Sequence, residues 1–196
     1  MTRARKNSSS GPLKGKPKGL AAPRKSGGAA PDDKTPRHGD LVAGLYVAAT
    51  PIGHARDITL RALDVLAGCD LIAAEDTRVT AKLLAIHGIA RPLIAYNDHN
   101  AVRERPGLLR RVRDGGRVVL VSDAGTPLVS DPGFKLVREA IAEGLPVFAL
   151  PGASAPLTAL VLAGLPSDRF LFAGFLPSRA GERCSASRTL RSPAMI

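Results

Sequence analysis

The residues between Val121 and Gly133 bring more reactive chemistry together than any other stretch of the chain. Ser122-Asp123-Ala124-Gly125-Thr126-Pro127 is followed at once by Ser130-Asp131-Pro132-Gly133. Two carboxylates, two glycines and two prolines thus share one loop. The loop follows an apolar run, Arg117-Val118-Val119-Leu120, and precedes a helical pattern. Ligands of open α/β sheets bind at the carboxyl ends of the strands. A loop of this make-up in that place implies a small-molecule site.

Four more loops share its character. Ala49-Thr50-Pro51-Ile52-Gly53-His54 follows a first apolar run, and Gly53 allows a ligand close to the backbone. Glu75-Asp76-Thr77-Arg78 follows a second, Tyr96-Asn97-Asp98-His99-Asn100 a third, and Pro151-Gly152-Ala153-Ser154-Ala155 a fifth. A parallel sheet places all five on one edge, so polar residues distant in sequence converge as a binding site requires. Each piece alone also has a plainer explanation. Asp131-Pro132-Gly133 reads as a helix N-cap with proline at the first helical position. Glu75 to Arg78 reads as a cap with an exposed ion pair. His87 before Gly88 suits a helix C-terminus. The specific signal is the combination. No dinucleotide fingerprint, phosphate-cradling P-loop or nucleophile elbow is present. His54, His87 and His99 lack metal-ligand spacing, so no metal is expected.

The elements that must hold these loops are legible. The runs Leu41–Ala49, Asp70–Ala74, Pro92–Tyr96, Arg117–Val121 and Pro146–Leu150 alternate with helical patterns. Continuous apolar strands separated by helices predict an α/β fold, a mostly parallel five-stranded sheet covered by helices on both faces. Asp57 is expected to cap a helix with Leu60, Leu63 and Leu66 inward. The helix after Asp131 is expected to bury Phe134, Val137 and Ile141 and to end at Gly144. Asp168–Pro177 reads as a sixth strand.

Composition bounds the rest. The net charge is +11, of which +7 falls in residues 1–40, a stretch rich in Ser, Gly, Pro and Lys. That segment is expected to be a disordered basic tail, suited to polyanions such as RNA. Cys69 and Cys184 are too isolated for a disulfide framework, and Cys69 has a core context. No secretory signal is seen and no run approaches about 18 apolar residues, so the chain reads as cytosolic and not membrane-bound.

From about Leu45 to Gly181 the motifs resemble those of the ribosomal small-subunit RNA 2′-O-ribose methyltransferases, within the tetrapyrrole-methylase superfamily. The wording that carries the resemblance is Ala49-Thr50-Pro51-Ile52-Gly53 with Asp57-Ile58-Thr59-Leu60-Arg61-Ala62, Ala74-Glu75-Asp76-Thr77-Arg78, and Tyr96 with His99-Asn100. It continues in Val121 to Pro127 with Ser130 to Gly133, Pro151 to Ala155, and Leu165-Pro166-Ser167-Asp168-Arg169-Phe170 with Gly174-Phe175-Leu176-Pro177. The resemblance implies S-adenosylmethionine as methyl donor, held in a cleft between two domains. It implies a cytidine ribose in 16S RNA of the small ribosomal subunit as acceptor, and a homodimer. Carried over by position, the donor lies against Pro51, Gly53, Asp123, Ala124, Gly125, Thr126, Pro127, Gly152, Ser154 and Ala155. Asp123 would hold a hydroxyl or ammonium group. A ribose hydroxyl is a weak nucleophile that benefits from a general base. Asp76, His99 and Glu75 are the candidates, and Arg61 and Arg78 the phosphate contacts.

The domain organisation expected from this is a tail over 1–40, an N-terminal α/β methyltransferase domain over 41–165, the start of a second domain over 166–178, and a non-family, disordered tail over 179–196. The family pattern carries His54 where Asn is usual, and lapses after Arg183. The chain is therefore expected to be truncated, with donor binding weak or absent. Two alternatives remain: a methyltransferase of tetrapyrrole precursors, and a non-catalytic remnant.

Overall fold

Each of the five apolar runs forms a strand in a computed structural model that describes residues 41–190. The expectations for residues 1–40 and 191–196 lie outside the described residues. The strands are β1 (Gly44–Ala48), β2 (Leu71–Ala74), β3 (Leu93–Ala95), β4 (Arg117–Val121) and β5 (Val147–Leu150). They pair in the order β3-β2-β4-β1-β5, and every pairing is parallel. Helices α1 (Leu60–Gly68), α2 (Thr77–Ile86), α3 (Ala101–Arg113) and α4 (Phe134–Ala142) connect them, and α5 (Ala155–Ala163) follows β5.

Strand residues alternate between the two sheet faces, and the core divides accordingly. Tyr46, Ala48, Ile72, Ala74, Val119 and Val121 pack with Ala62, Val65 and Leu66 of α1 and Leu84 of α2. Leu45, Ala73, Val118 and Leu120 pack on the opposite face with Leu108, Leu109 and Val112 of α3 and Leu136 and Ala140 of α4. Both layers are buried, which is why the strands carry apolar residues at every position instead of alternating with polar ones. Cys69 lies wholly inside, and burial pushes its thiol up to about 11. It is a core residue, as its context predicts.

Local structure differs from expectation in four places. Thr59, not Asp57, caps α1, its hydroxyl accepting the Ala62 N–H at 3.1 Å, while Asp57 ends a 3-10 turn, Ala55–Asp57. That start turns Ala62, Val65 and Leu66 inward and leaves Leu60 81% exposed. Helix α4 begins after Gly133 instead of Asp131. The later start rotates its inner face to Leu136 and Ala140, with Phe134 and Ile141 60% and 62% exposed. Its end is as expected: Gly144 follows with φ +69, a conformation glycine adopts freely. Finally, residues 168–177 form no strand. A strand needs a neighbouring edge to pair with, and here none is taken up. Phe175 stands 87% exposed. Beyond it a helix, α6 (Ala180–Leu190), occupies residues read as irregular. No described helix is long and apolar enough to cross a membrane.

One ion pair ties the amino edge of the sheet. Asp70 accepts the Arg117 backbone N–H at 2.8 Å and its guanidinium at 2.7 and 3.0 Å. The guanidinium hydrogen bond is the chief reason the Asp70 carboxyl is held below its usual range. A depressed carboxyl stabilises the fold above the unfolded value of about 3.9, and the contribution fades as pH falls through the folded value. Asp70→Asn should cost about 1 kcal/mol near neutral pH, given that the pair is partly solvated. In urea titrations the gap between the two proteins should close below about pH 4; a gap independent of pH would sink the assignment.

Candidate active site

The parallel arrangement brings all five carboxyl-end loops to one edge, and hydrogen bonds then stitch neighbours together. Thr50 and Gly125 exchange backbone bonds at 2.8 and 2.9 Å, a short bridge between the loops after β1 and β4. The buried Thr50 hydroxyl donates to the Ser122 carbonyl at 3.1 Å. Thr126 reaches the loop after β5, donating to the Ala153 carbonyl at 2.9 Å. Gly152 lies so near Ala49 that a Cβ added there would stand 2.8 Å from the Ala49 Cβ. Gly125 has φ +84, and an added Cβ would meet Ile52 and the Ala153 carbonyl at 3.6 and 3.8 Å. Pro51, Gly125, Thr126, Gly152, Ser154 and Ala155 therefore form one joined rim, with Pro127 buried beneath and Ala124 exposed beside it. Gly53, at φ +86, projects from the rim with nothing within 4 Å of an added Cβ. Ser154 is the N-cap of α5, and its side chain makes no capping bond.

The acids gather on the other side of β4. Asp123 accepts the Asp76 N–H at 3.0 Å, and the Asp123 N–H donates to Glu75 at 3.3 Å. Loop β4 is thereby tied to the start of α2. The three candidate bases have different surroundings. Asp76 caps α2 through the Arg78 N–H at 2.8 Å and grips the Arg78 guanidinium at 2.6 Å. These bonds lower its carboxyl to about 2. Glu75 is half-buried and its carboxyl is raised, by desolvation first and then by Asp123, Asp131 and Asp98. His99 is exposed in the turn after β3, held by its backbone N–H to Asn97 at 3.2 Å. Asn97 in turn reaches the Glu75 carbonyl at 3.5 Å.

The two arginines stand apart. Arg78 stays beside the acids with its guanidinium largely in solvent. Arg61 lies on the β5 side and donates to the Ala149 carbonyl of that edge strand at 3.4 Å. Sequence reasoning missed Asp131. Treated as a cap, it instead lines a 170 Å³ cavity with Tyr96, Asp98, Arg105 and Phe134. Its carboxyl is raised by desolvation and by Asp123. The signal was Gly133, whose place just before the helix competes with Asp131 for the cap.

The family model for tetrapyrrole (corrin/porphyrin) methylases matches residues 44–189. The chain is similar to the ribosomal RNA small subunit methyltransferase I of Mesorhizobium japonicum, 54% identical over 157 residues, covering 80% of this chain and 53% of that protein. Its counterpart of the same name in Haemophilus influenzae is 51% identical over 144 residues, covering 74% and 51%. The chain spans about half the length of the curated relatives it matches. Among solved structures, a cobalt precorrin-4 methyltransferase of cobalamin biosynthesis shares the fold, with a TM-score of 0.51 at 22% identity over 66% of this chain and 53% of that one. A parallel sheet with its polar loops joined along one edge, and a family match running from β1 into α6, lead to one assignment: this chain belongs to the tetrapyrrole (corrin/porphyrin) methylase family.

Proposed function

We propose that this chain supplies the donor-binding loops of an S-adenosylmethionine-dependent enzyme that methylates the ribose 2′-hydroxyl of a cytidine in small-subunit ribosomal RNA. The observation that carries the reading is sequence identity near one half with relatives named for that RNA. It extends across the segment that supplies all five loops. Under this reading residues 41–165 are the donor-binding domain and 166–178 begin a second one, the family match continuing into α6 to residue 189. The working enzyme is a cytoplasmic homodimer. Leu157, Val161 and Leu162 on α5, each more than half exposed, are surface that a further domain or second copy would cover.

The rim suits the donor. Gly152 has no room for a side chain beside Ala49, Gly125 takes a positive φ that side chains disfavour, and both bring backbone close; Asp123 adds a carboxylate for an ammonium or hydroxyl group. Pro51, Gly53, Asp123 to Pro127, Gly152, Ser154 and Ala155 would hold it. Bound there, S-adenosylmethionine supplies a methyl group already made electrophilic by its sulfonium. The protein's work is then to place the hydroxyl in line and remove its proton. Of the three candidates, Glu75 is best placed to do so. Asp76 is committed to Arg78, and its low value makes it a weak acceptor. Glu75 is raised toward the working range where a base is most effective. Arg78, beside it, is free on its outer side to meet a phosphate. Arg61 is taken as a second phosphate contact, on the far side of the rim.

The raised carboxyl sets the pH dependence. A base must be ionised, so the acidic limb of the rate should lie above the usual glutamate value of about 4.3. Glu75→Gln should slow single-turnover methylation by about 100-fold or more. An unchanged rate in that variant would pass the role to His99, tested by His99→Ala.

The reading itself is tested by incubating the chain with methyl-labelled S-adenosylmethionine and small subunits lacking the modification. Label in the RNA, however slow to accumulate, supports the reading. Label only in added porphyrinoids would favour a tetrapyrrole substrate, and label in neither would mark a non-catalytic chain.

A further inference from the structure

We propose that the cavity between the starts of α3 and α4, lined by Tyr96, Asp98, Arg105, Asp131 and Phe134, receives the base of the acceptor nucleotide and selects bases that carry an exocyclic amine. The proposal rests on the RNA methyltransferase reading and deepens it.

Position comes first. The cavity opens at the carboxyl edge of the sheet, between the loops after β3 and β4. Two of its carboxylates, Asp98 and Asp131, lie near enough to Glu75 to act on its charge, and Asp131 acts likewise with Asp123. A base seated here leaves its ribose beside the acids and the donor rim. Enzymes that modify a nucleotide within folded RNA or DNA commonly swing it out of its stack into such a pocket.

Size and lining then narrow the occupant. At about 170 Å³ the cavity is smaller than the roughly 300–1,000 Å³ that encloses drug-sized ligands, so a porphyrinoid macrocycle does not enter it. Phe134, 60% exposed, supplies aromatic surface on which a flat ring packs, with the buried Tyr96 behind it. The polar groups are of both kinds. Arg105 is only 14% exposed in its side chain and is held by Glu139, its Nε donating at 2.8 Å. One terminal guanidinium nitrogen of Arg105 is buried without a hydrogen-bond partner among the described residues. A guanidinium only donates and a carboxylate only accepts. The pocket therefore presents a donor beside two acceptors. Cytosine and adenine answer with an amine next to a ring acceptor, the pattern that carboxylates read on cytosine. Uracil has no amine to give. A phosphate, or the carboxylates of a porphyrinoid, would face Asp98 and Asp131 as like charges.

The backbone before Asp131 supports a positioned role. Leu128 and Ser130 both have positive φ, 72° and 66°. Such conformations persist in non-glycine residues only where surroundings hold them, and they gather at functional sites. With α4 starting after Gly133, the Asp131 carboxylate lines the cavity with the Ser122 hydroxyl hydrogen-bonded to it.

The test uses the full chain and short fluorescein-labelled single-stranded RNAs identical but for one central base, compared by anisotropy at fixed salt. Cytosine should bind about tenfold more tightly than uracil, a difference of about 1.4 kcal/mol. Asp131→Asn brings donor hydrogens into the pocket and should let uracil bind nearly as well as cytosine. Arg105→Gln should weaken cytosine binding and flatten the preference. The two changes act on different walls, so one variant remains informative should the other fail to unfold at the normal urea concentration. Equal binding of all bases by the wild type, or an unaltered preference in a folded variant, overturns the pocket. If RNA still gains label from the methyl donor in that case, the enzymatic reading stands alone. No binding to any RNA overturns both.

Discussion

Leu120→Ala should destabilise the chain by about 3 kcal/mol, within the 2–5 kcal/mol typical of a buried leucine truncated in a packed core. Leu120 is 1% exposed in β4 and packs in the layer formed with Leu45, Ala73, Tyr96, Leu108 and Leu136. The cost has a transfer part and a cavity part, because strands on both sides prevent collapse into the space. The consequence reaches the site. Leu120 also touches the end of the loop that carries Asp123 and Asp131, at Gly133. Urea unfolding of the two proteins measures the difference, and a loss below about 1 kcal/mol would contradict this view of the core.

Gly133→Ala should cost about as much, for two separable reasons. Gly133 has φ +126, where side-chain-bearing residues are strained by about 1–3 kcal/mol. Its added Cβ would also stand 2.6 Å from the Leu120 Cδ2. Overpacking of this kind adds about 1–3 kcal/mol, so the total should be near 4 kcal/mol. Combining the two substitutions separates the parts. In the Leu120→Ala background the obstructing methyl is gone, and Gly133→Ala should then cost only the backbone share, about 2 kcal/mol. Purely additive losses would show that the loop does not lean on Leu120. Because Gly133 seats the loop, the single variant should also disturb the neighbouring cavity that Asp131 lines.

These two residues show how far the sequence could be read. The strands were plain, since each is a short apolar run between turn residues, and all five fall where the pattern places them. The loops followed, because parallel strands put their carboxyl ends on one edge. Helix phase was harder. Asp57 and Asp131 both look like caps, yet the helices start at Leu60 and Phe134. A cap is chosen by competition among neighbouring polar residues and the geometry of chain entry. Thr59 wins the first contest, and the packing of Gly133 on Leu120 decides the second. A shift of two or three residues rotates the buried face, which is why Leu60, Phe134 and Ile141 emerge exposed. Apolar content likewise suggested a strand over 168–177, but a strand also needs an edge to pair with.

The candidate bases follow the same division. Residue type and loop position singled out Glu75, Asp76 and His99 together. Their ranking depends on neighbours: Arg78, two residues on, holds Asp76, while Asp98, Asp123 and Asp131 from other loops surround Glu75. Only folding assembles that field.

By itself, then, the sequence determined the α/β architecture, the five loops at one edge and the family kinship, because these rest on local patterns of apolar runs and short motifs. The tertiary structure alone decided which carboxylate is half-buried and raised among other acids, and that Asp131 lines a cavity with Arg105. Those properties come from burial and from charges brought together across more than fifty residues of chain between Glu75 and Asp131, and no local pattern encodes them.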